Sequence, residues 1–201
     1  VFKIVQRFQN RAAVVKNPPR FLAHALDAIR RIELDEMLRS LSYHPTGDAI
    51  SLSELLAEVE TSLDLEPTPN RGIYDHAICH SQPEHDFAHD ADRDNEVVCF
   101  LKLPEIYEIP TPIGSYHPDF GLVLRRRALR DGTENDYYFV IETKSTNNLD
   151  DTRALTESER IKIKCALKHF QALQIEAMLT YLPYKAPVKE YKGDFKETLP
   201  T

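Results

Sequence analysis

The sequence lacks the features that mark membrane and disulfide-stabilised secreted proteins. No run approaches about 18 consecutive apolar residues, so no transmembrane helix is expected. The opening segment has no apolar signal-peptide core. The three cysteines form no CxxC pair, which favours reduced thiols in an intracellular protein. The first residue is Val1 rather than Met, and we therefore expect the chain to begin inside a longer protein.

An excess of basic residues is also absent. The chain has 25 Lys and Arg against 32 Asp and Glu, which gives a formal net charge of −7. This balance argues against a domain that holds DNA through its overall field, because phosphate binding depends on Lys and Arg. It does not exclude an active site in which clustered carboxylates hold a divalent cation.

The first third of the chain has a helical pattern. Apolar residues recur at helical spacing from Phe21 to Leu41, and Asn17 before two prolines is a plausible helix start. A shorter helix is predicted for residues 51–63. The breaker-rich segment 66–72 then predicts a linker. Residues 1–70 are therefore interpreted as a helical lead-in and linker, and residues 71–201 as a separate domain.

The second part of the chain alternates between strand and helix patterns and predicts an α/β sandwich. Strands with apolar residues on both faces need helices on each side of the sheet. The predicted elements are, in order, a strand at 73–78, a helix from Ser81 to about Asp92, strands at 97–103, 119–126 and 137–142, a helix from Thr156 to about Leu173, and a strand at 175–182. Thr156 and Glu159 form a capping-box pattern at the start of the second helix.

The informative geometry lies between Asp119 and Lys144. If the strands at 119–126 and 137–142 form an antiparallel hairpin with Asp119 opposite Glu142, the midpoint falls between Arg130 and Asp131. The densest turn signal of the region stands there. Because strand side chains alternate between faces, Glu142 and Lys144 project from the same face. The pattern therefore predicts two acids and one amine at one end of a hairpin.

Two carboxylates about 4 Å apart repel by roughly 1–4 kcal/mol, so something must compensate their charge. A proton, the ammonium group of Lys144 and a divalent cation are the alternatives. An oxygen-rich site suits Mg²⁺, which lowers the pKa of a bound water and stabilises charge developing on phosphate. The plainer alternative is a solvated salt-bridge face at the end of a strand.

The motif string resembles the PD-(D/E)xK nuclease superfamily. Pro118-Asp119 is followed by Glu142-Thr143-Lys144 at the end of an apolar strand. The longer strings FLKLPEIYEIPTPIGSYHPDFGLVL, YYFVIETKST, IKIKCALKHFQAL and YDHAICHSQPEHDFA are similar to the C-terminal endonuclease domain of the restriction (Res) subunit of type III restriction enzymes. The resemblance implies a restriction-endonuclease-like αβββαβ core with a mixed central sheet.

The resemblance also implies a role for each matching residue. Asp119 and Glu142 become ligands of Mg²⁺ or Mn²⁺, together with the main-chain carbonyl of Thr143. Lys144 becomes the amine that orients water or contacts phosphate. Glu84 becomes an additional acid of the site. Its alternative role is a helix capping box with Ser81, in which an acid in the first turn suits the helix dipole.

Partners and cofactors follow from the same resemblance. The substrate is expected to be double-stranded DNA, and the location is expected to be the cytoplasm of a bacterium or archaeon. The sequence contains no GxxxxGK[ST] phosphate loop, so ATP would bind in helicase domains of the same parent chain, outside these residues. The methyltransferase (Mod) subunit that recognises the DNA sequence would be a separate partner.

Three alternatives remain open at this point. Another PD-(D/E)xK enzyme, such as a repair or junction nuclease, fits the same motif. An inactive nuclease fold that serves as a DNA-binding or interaction module also fits. A zinc module is the third, because potential ligands are dense between residues 76 and 89, namely His76, Cys79, His80, His85 and His89.

Overall fold

The computed structural model describes residues 16–47, 51, 65–127 and 132–199. The chain divides into two compact units, residues 1–41 and residues 42–201. The helix predicted for residues 51–63 and the centre of the predicted hairpin turn lie almost entirely outside the described residues. In the part of the chain that is described, no helix is both long enough and apolar enough to span a membrane.

In the first unit, helix α1 runs from Pro18 to Ser40. The side chain of Asn17 accepts a hydrogen bond from the backbone N–H of Arg20 at 3.2 Å, and prolines fill the first helical positions. Proline is tolerated there because the first N–H groups of a helix have no partner within the helix. The predicted helix is confirmed, although none of its residues is buried.

A small hairpin is the first regular element among the residues of the second unit that the structure describes. Strand β1 (Leu65–Pro67) pairs antiparallel with β2 (His76–Ile78). Between them, the chain turns tightly at Gly72, where a Cβ atom would collide with the side chain of Thr68 and the carbonyl of Tyr74. The predicted strand at 73–78 is therefore shorter than expected.

This hairpin changes the interpretation of residues 66–72. The carboxylate of Asp92 accepts hydrogen bonds from the backbone N–H groups of Asn70 and Arg71, at 2.9 and 2.7 Å. The segment is thus tied to the helix that carries Asp92, and its interpretation as a linker is wrong for its local structure. The placement of a domain boundary between residues 70 and 71 stays a prediction.

A mixed four-stranded sheet forms the centre of the second unit. Its strand order is β3-β4-β5-β6, with antiparallel pairing between the first three strands and parallel pairing of β5 with β6. The elements are α2 (Gln82–Arg93), β3 (Val97–Lys102), β4 (Phe120–Arg127), β5 (Glu134–Thr143), α3 (Glu157–Glu176) and β6 (Tyr184–Val188), followed by a π-helical turn (Tyr191–Phe195) and a 3₁₀ turn (Lys196–Thr198). The αβββαβ order and the α/β class predicted from the sequence are confirmed.

Apolar side chains cover both faces of this sheet. On one face, Phe87 of α2 stacks on Phe120 of β4 with ring centroids 5.1 Å apart, and Phe195 packs beside them. On the other face, Phe170 of α3 stacks on Tyr184 of β6 at 4.9 Å. Two cores therefore clamp the strands, and the ends of β4 and β5 are held by packing from both sides.

The last predicted strand, at residues 175–182, is wrong in position. Helix α3 continues to Glu176, and the N–H of Ala177 still bonds to the Leu173 carbonyl at 2.9 Å. Met178 then takes a positive φ of 50°, and β6 begins at Tyr184. The apolar residues that suggested a strand include Ile175 and Met178, which are 79% and 87% exposed. Their apolar character does not reflect burial, so it misplaced the strand.

The predicted capping box of α3 forms. Thr156 Oγ1 accepts from the Glu159 N–H at 3.2 Å, and the Glu159 carboxylate accepts from the Thr156 N–H at 2.9 Å.

We predict that Thr156→Ala lowers the free energy of unfolding by about 1 kcal/mol, because the helix loses its cap. Urea denaturation followed by circular dichroism measures the change. The exposed Thr152→Ala variant is the control, with an expected change below about 0.5 kcal/mol. An unchanged midpoint for Thr156→Ala would contradict the cap's contribution.

Candidate active site

The pairing of β4 with β5 sets the position of the two central acids. Phe120 stands opposite Ile141, so Asp119, one residue earlier, stands opposite Glu142. The backbone N–H of Asp119 donates to the Ile141 carbonyl at 3.0 Å, which extends the pairing to this end of the hairpin. The predicted register is confirmed. Asp119 and Glu142 are brought together at the end of the sheet where β4 begins and β5 ends.

The carboxylate of Asp119 is held on both of its oxygens. Oδ2 accepts hydrogen bonds from the backbone N–H and the hydroxyl group of Thr143, at 2.7 and 2.8 Å. Oδ1 lies 2.8 Å from Nζ of Lys102. Asp119 therefore has a fixed orientation, and it links the end of β5 to the end of β3.

Glu142 is the most buried acid of the group, with 5% of its surface exposed. Its Oε1 lies 2.8 Å from Nζ of Lys144, and its Oε2 accepts from the hydroxyl group of Tyr116 at 2.8 Å. Burial and then the charge of Asp119 raise the pKa of Glu142 to about 7, although Lys144 and Tyr116 act in the opposite direction. A carboxylate with this pKa is poorly compensated, and an added cation would stabilise its ionised form.

Lys144 follows β5 and points to the same group. Its backbone N–H donates to the Val188 carbonyl at 2.8 Å, which fixes the residue against β6. Its ammonium group lies 2.8 Å from Glu142 and 3.3 Å from Oε1 of Glu159. Burial opposes the charged form, but the neighbouring carboxylates raise the pKa of Lys144 above its ordinary value, so the side chain stays an ammonium group.

Glu84 joins the group from the start of α2. The side chain of Ser81 makes no capping hydrogen bond to the helix, so the predicted capping box does not form there. Ser81 Oγ instead donates to Oε1 of Glu84 at 2.9 Å, and Oε2 accepts from the His80 N–H at 3.0 Å and from Lys102 at 2.7 Å. Burial opposes ionisation, but Lys102 and these donors lower the pKa of Glu84. The side chain thus reaches Asp119 through one shared ammonium group.

Three residues of this arrangement were not predicted from the sequence. Lys102 and Tyr116 had no assigned role, and Glu159 was identified only as part of a capping box. Lys102 is the one with a usable signal, because it is a lone charged residue in the apolar string VVCFLKL. The hydroxyl groups of Tyr116 and Tyr184 are hydrogen-bonded at 2.7 Å, and this pair links Glu142 to β6.

The charged side chains form two units, each with one ammonium group between two carboxylates. The Lys102 unit contains Glu84, Lys102 and Asp119, and the Lys144 unit contains Glu142, Lys144 and Glu159. With four carboxylates ionised and two ammonium groups, the pair of units carries a net charge of −2. A surplus of negative charge in a poorly solvated place favours a cation.

The donor set fits Mg²⁺ in kind but is not assembled around a vacant point. Asp119, Glu142 and the Thr143 carbonyl are all oxygen donors, and Mg²⁺ commonly takes one or two carboxylates with water and phosphate oxygens. Among the residues that the structure describes, however, no three His, Cys, Asp or Glu side chains are grouped so that they could hold a metal ion. Ammonium groups stand between the acids instead.

The same finding bears on the zinc alternative. No zinc-holding cluster exists within the described part of the chain. His85 and His89 lie beside the Glu66 carboxylate, at 3.5 and 3.0 Å, and Cys79 is fully buried in the apolar core. His85 and His89 thus share a carboxylate, and they do not gather with Cys79 into a zinc-binding set.

A mostly apolar cavity of about 560 Å³ opens beside the Lys102 unit. Lys102 and Asp119 form part of its wall, and the β1-β2 hairpin and the end of β3 supply the rest, with Tyr74, His76, Leu101 and His117 among the lining residues. The acids are therefore not sealed inside the protein, since one of the two units borders a cavity that a substrate can approach.

The raised pKa of Glu142 predicts a pH-dependent cost in stability. The folded protein binds the Glu142 proton more tightly than the unfolded chain, so stability falls as pH rises from about 4.5 to about 7. In a metal-free buffer, we predict that Glu142→Gln removes this fall, so that the stability of the variant relative to the parent protein rises by an amount on the order of 3 kcal/mol between pH 4.5 and pH 7.

Urea denaturation at half-unit steps of pH measures this difference. Glu176→Gln is the matched control, because Glu176 is exposed at the end of α3. A difference between Glu142→Gln and the parent protein that does not change with pH would contradict the assignment of the proton to Glu142.

Comparison with known proteins places this arrangement in a family. The model of a family described as an endonuclease domain matches residues 70–191, which is more than half of the chain and includes every residue of the Lys102 and Lys144 units. No curated protein matches the chain, and no solved structure does. The chain, with its mixed sheet and its acids at the end of a hairpin, belongs to the endonuclease domain family.

Proposed function

We propose that this chain is the cleavage domain of a type III restriction enzyme and that it hydrolyses phosphodiester bonds of double-stranded DNA with Mg²⁺ or Mn²⁺. The observation that carries the proposal is the convergence of Asp119, Glu142 and Lys144 at one end of the hairpin. Glu84 is proposed as the additional acid, because its carboxylate shares the Lys102 ammonium group with Asp119.

The proposed metal ligands are Asp119, Glu142 and the carbonyl of Thr143. When bound, the metal would supply a more acidic water and a positive charge next to the phosphate. The chain's own contribution is orientation. Thr143 holds one carboxylate oxygen of Asp119 with two hydrogen bonds, and Tyr116 holds one oxygen of Glu142. Ligands that are already fixed lose little conformational freedom when a cation binds.

Lys144 is proposed to orient the attacking water or to stabilise the negative charge that develops on the phosphate. Its ammonium group is held between Glu142 and Glu159, so it stays charged and close to the proposed ligands. A fixed positive charge in a poorly solvated site acts more strongly on a developing negative charge than it would in water.

The net charge of −7 supports a role within a larger assembly. A domain with more acids than bases gains little from phosphate neutralisation, so most of the affinity for DNA must come from elsewhere. We propose that helicase domains of the parent chain, which bind ATP, and a methyltransferase subunit deliver the DNA. The proposed location is the bacterial or archaeal cytoplasm.

Two other functions remain candidates. A repair or junction nuclease would use the same residues on a different DNA structure. A non-cleaving interaction module is favoured by one specific observation, namely that each ammonium group lies between two of the acids and offsets part of their charge. Metal-dependent cleavage separates the catalytic alternatives from this module.

We predict that Asp119→Asn and Lys144→Met each reduce Mg²⁺-dependent nicking of supercoiled plasmid DNA by about a hundredfold or more, because each removes a charge next to the phosphate. The assay uses the assembled enzyme that contains this domain. ATP hydrolysis by the motor is measured in parallel, and it should be unchanged.

Glu176→Gln and Lys192→Met are the matched controls, since they remove one acid and one ammonium group from exposed positions. Nicking at the parent rate by either Asp119→Asn or Lys144→Met would exclude the proposed centre. An assembled enzyme that never nicks DNA with Mg²⁺ or Mn²⁺ would favour the interaction module.

A further inference from the structure

Lys102, the last residue of β3, brings its ammonium group between Asp119, a proposed metal ligand, and Glu84, the proposed additional acid. Its Nζ lies 2.7 Å from Oε2 of Glu84 and 2.8 Å from Oδ1 of Asp119. Only 19% of the side chain is exposed. This ammonium group therefore occupies the point where the two carboxylates meet.

The sheet fixes the backbone position of Lys102 beside these acids. Lys102 in β3 pairs with Phe120 in β4, and its Nζ lies 4.9 Å from the centroid of the Phe120 ring. The apolar stem packs along the sheet, while the charged end has been taken largely out of water. Such desolvation is unfavourable unless partners of opposite charge compensate it. Glu84 and Asp119 are these partners.

The two carboxylates in turn depend on a cation. Glu84 comes from the start of α2 and Asp119 from the residue before β4, so packing of separate elements brings their charges together. Like charges held in a poorly solvated place repel each other. In this structure Lys102 supplies the positive charge that a metal ion would otherwise supply.

A divalent cation on Asp119 would need Oδ1, because Oδ2 already accepts two hydrogen bonds from Thr143. Oε2 of Glu84 and Oδ1 of Asp119 both face the ammonium group. A doubly charged ion placed there would stand within a few ångströms of Nζ, and the two positive charges would repel each other. The cation and the ammonium group therefore compete for one place.

Lys102 also has space to move away. Its side chain forms part of the wall of the 560 Å³ cavity described above, next to Asp119. The lysine stem is long and flexible, so the ammonium group can turn from the carboxylates toward this cavity without a change in the backbone. A phosphate oxygen in the cavity would be a suitable new partner.

We propose that Lys102 is a built-in competitor of the divalent cation, which holds Glu84 and Asp119 together in the metal-free protein and must leave them when the metal binds. This inference rests on the proposed function, because it assumes that Asp119 binds a metal. It goes further because it proposes that Lys102, a residue outside the proposed ligand set, lowers the affinity for the metal. The chain then binds the metal weakly until the ammonium group finds another partner.

The test is a Mn²⁺ titration of the 201-residue chain, with free Mn²⁺ measured by electron paramagnetic resonance. Lys102→Met should bind Mn²⁺ about tenfold or more tightly than the parent chain, since the competing charge is gone. Lys102→Arg keeps the charge and should bind Mn²⁺ like the parent. Lys192→Met, at an exposed position, is the control for the loss of one ammonium group.

Thermal unfolding gives a second readout. Lys102→Met should unfold at a lower temperature than the parent chain in EDTA and recover most of the difference in Mn²⁺, because the metal replaces the lost charge. If Lys102→Met does not fold, Lys102→Gln serves in both measurements, since its amide can still donate hydrogen bonds to the carboxylates.

Two results would overturn the inference, and they differ in what else they reject. If Asp119→Asn abolishes Mn²⁺ binding but the neutral Lys102 variants bind Mn²⁺ no more tightly than the parent, Lys102 is only a structural ion pair and the proposed metal site stands. If no variant, including Lys102→Met and Lys102→Gln, binds Mn²⁺ at any concentration tested, the proposed metal-dependent function fails together with the inference.

Discussion

The antiparallel pairing of β4 with β5 is the constraint on which the rest of the site depends. It places Asp119 at the start of one strand opposite Glu142 near the end of the next, and the N–H of Thr143 then reaches the Asp119 carboxylate. A shift of one residue would move one acid to the other face of the sheet. The apolar core on one face opposes such a shift, because Phe120 and Ile141 both pack in it and one of them would be turned to the opposite face.

Charge compensation is the second requirement, and it follows from the first. A hairpin that gathers acids at one end of a sheet creates negative charge where water is scarce. Two lysines, each between two carboxylates, offset part of this charge. The charge of Glu142 remains only partly compensated, as its pKa of about 7, raised first by burial, indicates. In the function proposed above, the same imbalance, which costs stability, is what would attract a divalent cation.

The pattern of the sequence predicted the hairpin, its register and the order αβββαβ, because alternation and turn residues are local signals. It also predicted the acids and Lys144. It did not predict Lys102, whose role arises from the packing of α2 against the start of β4, a contact between distant segments. It misplaced the last strand, because Ile175 and Met178 are apolar yet exposed. The linker interpretation of residues 66–72 failed for a similar reason, since Asp92, more than twenty residues later, holds that segment in place.

The proposed function requires that Asp119 and Glu142 share a divalent cation at the end of the hairpin. Crystals of the chain soaked in Mn²⁺, with data collected at a wavelength where manganese scatters anomalously, test it most directly. A shared ion predicts one anomalous peak within about 2.0–2.3 Å of carboxylate oxygens of both residues, a distance typical of such ligands. Soaked crystals with no peak between them, or with a peak only at other acids, would contradict the account.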